Sequence, residues 1–292
     1  MLLFGEFLQR LQGARGHANL SAADADGLQI HILAPFGGDV RVAAGVAEIG
    51  FAARQLVNAA HTVGAMIAAS CILGKTRMFS LLFQQPVVFF AWVLAFLLAL
   101  SVHEFSHALV GTWLGDTTAR RMGRLTLNPA AHIDPIGFFA VLLIGFGWGK
   151  PVPYNPYNLR WPKWGPVAIA FAGPVSNLLI AMAAVLLLAN IGPMLGSQNL
   201  LFLFLVILVQ LDIALAVFNL IPLPPLDGSK ALLAVLSHPK YAAARNFIET
   251  RGPMILLLLV FLDAFGGFGI LIGLVRWAIG LVAQIAGFRI FL

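Results

Sequence analysis

The chain has 292 residues, of which 60% are hydrophobic and only 10% charged, with a mean hydropathy of +0.91 and a formal net charge of +6. A soluble domain carries about a quarter charged residues, so an ordinary soluble fold is excluded, and the long unbroken apolar runs exclude the alternating strands of a membrane β-barrel. The single cysteine, Cys71, excludes an intrachain disulfide, and the positive charge sits in short loops between apolar runs, which fits membrane topology rather than nucleic-acid binding.

What remains is an all-α, polytopic helical membrane protein. Residues 1–77 differ from the rest: they hold 11 of the 30 charged residues in about a quarter of the length, including the mixed run SAADADGLQIHILAPFGGDVRV. From Met78 onward the text becomes membrane-like at once. The expected division is therefore a doubtful N-terminal extension over 1–77, with Met78 as the natural start, and a membrane-embedded domain over 78–292. An accessory segment is the alternative for 1–77.

A first long helix is predicted over about 86–111, followed by a polar loop from Thr112 to Asp134. The apolar stretch IGFFAVLLIGFGWG (136–149) comes next. Fourteen residues at 1.5 Å each reach only about 21 Å, well short of a bilayer core of about 30 Å. This stretch is expected to re-enter and turn back or to lie shallowly, as its glycines allow. A Pro-rich segment (PVPYNPYNLRWPKWG) leads to a second long helix over about 166–190. A short uncharged turn then precedes a third helix over about 200–222. After a basic loop (223–252) the C-terminal region, interrupted by Asp263 and GGFG, holds one or two further spans.

If 136–149 turns back, the loops 112–134, 150–164 and 223–252 lie on one side of the membrane and the 191–199 turn on the other. The basic residues then sort cleanly. Arg120, Arg121, Arg124, Lys150, Arg160 and Lys163 fall on the first side with Lys230, Lys240, Arg245 and Arg251, and none falls in the opposite turn. The positive-inside rule makes that side cytoplasmic, in a multi-pass protein of the cell membrane.

Within the first long helix, LALSVHEFSHALVG places two histidines and a glutamate in an apolar run. Ionisable groups at membrane depth are costly and mark function by default. His103-Glu104-Phe105-Ser106-His107 matches H-E-x-x-H: positions i and i+4 share a helix face, so both imidazoles can reach one Zn²⁺, and Glu104 can serve as general base toward water there. The bland alternative is a pair of neutral structural histidines. Catalytic zinc takes three protein ligands and an open position, and the carboxylates at suitable depth are Asp212, Asp227 and Asp263. Asp227, in FNLIPLPPLDGSK, lies at the same membrane side as HEFSH provided 136–149 does not cross. Alone it could equally form an ordinary Asp-Gly turn.

HEFSH with a distant NLIPLPPLDG resembles the site-2 protease family of intramembrane zinc metalloproteases, and most closely its compact prokaryotic branch, which lacks a PDZ insertion. GRLTLNPAAHIDPIG (123–137), GFGWGKPVPYNPYNLR (145–160) and AGPVSN (172–177) resemble that branch too; the resemblance spans about 78–290 and leaves out 1–77. It implies a three-helix catalytic core, one zinc ion per chain held by His103, His107 and Asp227, Glu104 as base, and Asn219 as the residue that holds the substrate carbonyl or its oxyanion. It further implies transmembrane or membrane-tethered protein substrates in a lipid bilayer, and no nucleic acid. Two other classes stay open: a catalytically inactive scaffold that binds transmembrane helices, and an ion-pathway or transporter protein. His132 and Asp134 are expected to brace their loop, the Gly145–Lys150 loop to offer backbone edges to an extended substrate or simply to turn, and Asn177 to pack helices. Asp212 shares roughly a face with Asn219, as a partner of the site or as a neutral carboxyl.

Overall fold

The computed structural model describes residues 78–286, apart from 145–146, 196–198 and 267. The expectation for residues 1–77 lies outside the described residues. Among the described residues the regular elements are helical, joined by turns and one isolated β-bridge.

Helix α1 (Met78–Gln84) leads into α2 (Pro86–Trp113), and Pro86 stands at the first helical turn, where its missing N–H removes no helix bond. After a short turn of helix, α3 (Thr118–Arg121), comes α4 (Pro135–Ile144). The second and third long helices are α5 (Gly165–Leu195) and α6 (Leu200–Asn219). Helix α6 starts where the Asn199 side chain accepts from the Leu201 N–H at 2.8 Å. It stops three residues before the predicted end, because Pro222, Pro224 and Pro225 lack the N–H groups needed to continue. Beyond it lie α7 (Gly228–Val235), α8 (Ala242–Gly266) and α9 (Ile270–Ile285). The C-terminal region therefore forms two helices, and the first begins inside the stretch predicted as a basic loop.

Helices α2, α5 and α6 are the three long and apolar enough to cross a membrane among the described residues. They pack on one another. Ala95, Ala99, Ala181 and Ala216 are buried between them, and Gly111 sits against Ile169. Small residues let helix backbones approach where lipid tails offer no hydrophobic drive for association. Phe90, Leu94, Leu179 and Leu186 are exposed on the outer faces, as lipid contact requires.

The short stretch 136–149 does turn back. Helix α4 is ten residues long, about 15 Å at 1.5 Å per residue. The Asp134 carboxylate caps its start, accepting from the Gly137 N–H at 2.9 Å. On return, Gly149 pairs with Ile133 in an antiparallel bridge and the Lys150 N–H donates to the His132 carbonyl at 2.8 Å. The two ends of the segment thus lie side by side. The crossing is tight: a Cβ on Gly137 would strike the Trp148 carbonyl, and one on Gly147 would strike the Gly137 carbonyl.

A second device ties the following loop to α2. Asp116, 2% exposed, accepts from Thr118 N (3.1 Å) and Oγ1 (2.6 Å), from Asn155 N (2.7 Å) and from Asn158 Nδ2 (3.0 Å). Burial pushes its carboxyl up, but these hydrogen bonds prevail and hold it below its ordinary value.

Candidate metal site

His103 and His107 stand one turn apart on α2, both buried, with ring centroids 4.6 Å apart and planes nearly perpendicular. Asp227 reaches them from the start of α7. It occupies the N-cap position, where aspartate ordinarily accepts from the helix's own N–H groups, yet its side chain makes no capping bond. Instead its Oδ2 lies 3.2 Å from His103 Nε2 and 3.2 Å from His107 Nε2. These contacts separate Asp227 from a simple Asp-Gly turn.

The imidazoles are held from behind. His107 Nδ1 lies 2.6 Å from the carbonyl of Ile169 on α5, and His103 Nδ1 lies 2.5 Å from Asn177 Oδ1 on the same helix. Both partners are acceptors, so each Nδ1 carries the proton and each Nε2 turns its lone pair toward Asp227. Pro174, fully buried between these two contacts, loosens the helix ladder of α5 in this turn.

Gly173 faces the same point. A Cβ there would sit 2.5 Å from His107 Nε2 and 2.6 Å from His103 Nε2. The donor atoms of His103, His107 and Asp227 all lie within 4.8 Å of one another. Tetrahedral zinc with bonds of about 2.0–2.1 Å separates neighbouring donors by about 3.3 Å, close to the 3.2 Å between Asp227 Oδ2 and either imidazole. Two neutral imidazoles, one carboxylate and a side left open by glycine therefore suit a zinc ion.

Glu104 is buried beside this cluster, and its Oε2 has no hydrogen-bond partner. Asn219, at the end of α6, is half-buried, and its Nδ2 donates to the Leu215 carbonyl at 3.0 Å. Among the described residues, no hydrogen bond joins Asn219 to His103, His107 or Asp227. Asn177 and Asp212 form a hydrogen bond to each other inside the bundle.

Three residues near the site carry no role in the sequence analysis. Gly173 lies in the AGPVSN tract, but its closeness to two imidazoles depends on how α5 rotates against α2. Arg124 is buried and donates to the carbonyls of Lys150 and Pro151. Its burial lowers its pKa, and the charge of Glu104 opposes that shift, so the cation stands within the field of the carboxylate. Burial raises the Tyr154 hydroxyl, and the charge of Asp227 raises it further.

Comparison with known proteins points the same way. The family model for peptidase family M50 matches residues 188–260, a stretch that includes NLIPLPPLDG. The chain is 37% identical over 182 residues to "Putative zinc metalloprotease YwhC" of Bacillus subtilis (strain 168), covering 60% of this chain and 82% of that one. It is 30% identical over 192 residues to the Mycobacterium tuberculosis (strain H37Rv) protein of the same description, Rip2, with shares of 61% and 70%. Against Rip2 of Mycolicibacterium smegmatis the identity is 31% over 150 residues, with shares of 50% and 57%. No solved structure matches.

Proposed function

The chain belongs to peptidase family M50, the zinc metalloproteases of the site-2 protease type, and on that premise we propose that it hydrolyses peptide bonds of transmembrane or membrane-tethered proteins at a site built from His103, His107, Asp227 and Glu104. The observation that carries this reading is the convergence of two Nε2 atoms and one carboxylate oxygen, all within 4.8 Å, from elements 124 residues apart.

His103, His107 and Asp227 hold one zinc ion. When bound, zinc supplies a Lewis acid for the scissile carbonyl and brings the pKa of a water molecule toward ~7. Glu104, its Oε2 unpartnered, takes the proton of the attacking water and passes it to the leaving amine. Asn219 uses one amide N–H on Leu215 and offers the other to the substrate oxygen as negative charge develops there. The substrate chain must unwind locally first, because a helix keeps its carbonyls in hydrogen bonds. The basic loops on the side of the site orient it toward the cytoplasm in a multi-pass protein of the cell membrane, where water can reach it.

The test is metal analysis of purified protein together with cleavage of a model transmembrane peptide, with Glu104→Gln as control. Stoichiometric zinc in both proteins is expected, with cleavage reduced by about 10²–10⁴-fold in the variant. Full cleavage by Glu104→Gln would remove the base assignment, and wild-type protein that binds no zinc would remove the metal reading.

A further inference from the structure

Asp212, on α6, is a carboxyl with 0% exposure and no ion pair among the described residues. Its Oδ1 accepts from Asn177 Nδ2, while its Oδ2 has no hydrogen-bond partner. A carboxyl placed this way inside a transmembrane bundle is costly, and an apolar residue would pack the same space more cheaply.

What it does follows from Asn177, also 0% exposed. The amide nitrogen of Asn177 donates to Asp212 and to the carbonyl of Ala99, the latter at 3.2 Å. With both acceptors on that side, Oδ1 is forced toward His103 Nδ1, at 2.5 Å. An amide oxygen can only accept, so Nδ1 of His103 carries the proton and Nε2 is left open toward Asp227. His107 receives the same tautomer from the Ile169 carbonyl, a backbone group that cannot reverse. An asparagine amide can reverse by half a turn, because its oxygen and nitrogen ends are nearly the same size. Reversed, it would offer an N–H to His103 Nδ1 and favour the tautomer whose Nε2 is protonated and unable to bind metal. The Oδ1 of Asp212, which accepts from this amide, would meet a reversed Asn177 oxygen with its own lone pairs and repel it. Ala99, at the longer distance, is the weaker guard.

We propose that Asp212 is a positioning residue for His103, locking the amide of Asn177 in the one orientation that presents His103 Nε2 to the metal. This rests on His103 being a metal ligand.

The experiment uses the full chain in detergent, stripped of metal. Zinc affinity is measured by competition with a chromophoric chelator, and the His103 tautomer of the metal-free protein is read from imidazole ¹⁵N shifts, assigned with His103→Gln. Asp212→Ala is expected to weaken zinc binding by about 10–100-fold, the range found when a metal-bound histidine loses its partner, while Asp212→Asn, whose amide can turn either its oxygen or its N–H toward Asn177, gives a smaller loss. The His103 signal moves toward the Nε2–H form in Asp212→Ala and, to a smaller extent, in Asp212→Asn. In an Asn177→Ala background, Asp212→Ala adds no further loss, whereas a purely structural contribution would act equally in both backgrounds.

Unchanged affinity and tautomer in Asp212→Ala overturn the proposal. Should that variant fail to fold, Asp212→Asn decides: affinity and tautomer both unchanged from wild type overturn it equally. Wild-type protein without zinc affinity removes the metal reading and this role with it. Zinc binding by wild type and Asp212→Ala alike removes only the role of Asp212.

Discussion

Two buried aspartates of this molecule stand in contrasting surroundings. Asp116 lies past the end of α2 and receives four hydrogen bonds from three residues of the surrounding loops. Asp212 lies in the middle of the bundle and receives one, from Asn177. A carboxylate surrounded by donors is a brace: its hydrogen bonds offset the cost of burial and hold the α3 turn and the Pro-rich segment against α2. A carboxyl left half unpartnered in apolar surroundings is poor bracing. Its presence makes sense through what stands at the other side of its one partner, here His103, a proposed metal ligand. The degree of satisfaction thus separates a stabilising residue from one retained for the site.

The sharpest way to break this contrast is to disturb the bundle site while leaving both aspartates alone. Gly173→Ala places a methyl group 2.5–2.6 Å from the two imidazole Nε2 atoms. It should weaken zinc binding by about 100-fold or more, by analogy with the upper range for disturbed metal sites, and abolish cleavage. The fold should survive, since the added methyl meets side-chain atoms of the site. Chelator competition measures the first effect and circular dichroism the second. Wild-type zinc affinity in this variant would show that the cradle is not where the metal sits.

On the other side of the comparison, Asp116→Ala leaves backbone N–H groups of Thr118 and Asn155 and the Asn158 amide without their acceptor. A loss of about 1–3 kcal/mol of stability is expected, read as a lowered thermal midpoint, with zinc affinity in the folded protein unchanged. A drop in zinc affinity as large as that of Gly173→Ala would erase the distinction between brace and site.

The smallest effect is the pH response of the brace. Because Asp116 is held below its ordinary value in the folded chain, its contribution is complete above the unfolded pKa of about 3.9 and fades as pH falls through the lower folded value. The stability gap between wild type and Asp116→Asn should therefore be widest near neutrality and close progressively below about pH 4. Thermal scans across that range check it, and a gap independent of pH would show that charge on Asp116 contributes nothing.

Much of this protein is legible before any folding is considered. HEFSH is readable because i and i+4 must share a face of any helix, and the length of 136–149 against the bilayer puts Asp227 on the same side, where the family resemblance makes it the expected third ligand. That argument depended on a segment too short to cross, and the Ile133–Gly149 bridge is the physical form of its return. Helix ends were less legible: α6 yields to Pro222 earlier than its apolar run suggests, and α8 starts within a stretch whose charges read as loop.

Gly173, Asn177 and Asp212 show where sequence stops. The long helices are apolar all round, since one face meets lipid and the other meets equally apolar neighbours, so periodicity cannot say which side of α5 turns toward α2. The sequence by itself determined the class of protein and singled out His103, His107 and Asp227 as candidate ligands, because these depend on composition, segment length and local spacing. Only the tertiary structure decided which residues stand behind and beside the histidines. Those contacts depend on the rotation of three packed helices, and close packing of small residues sets that rotation, not any pattern along a single helix.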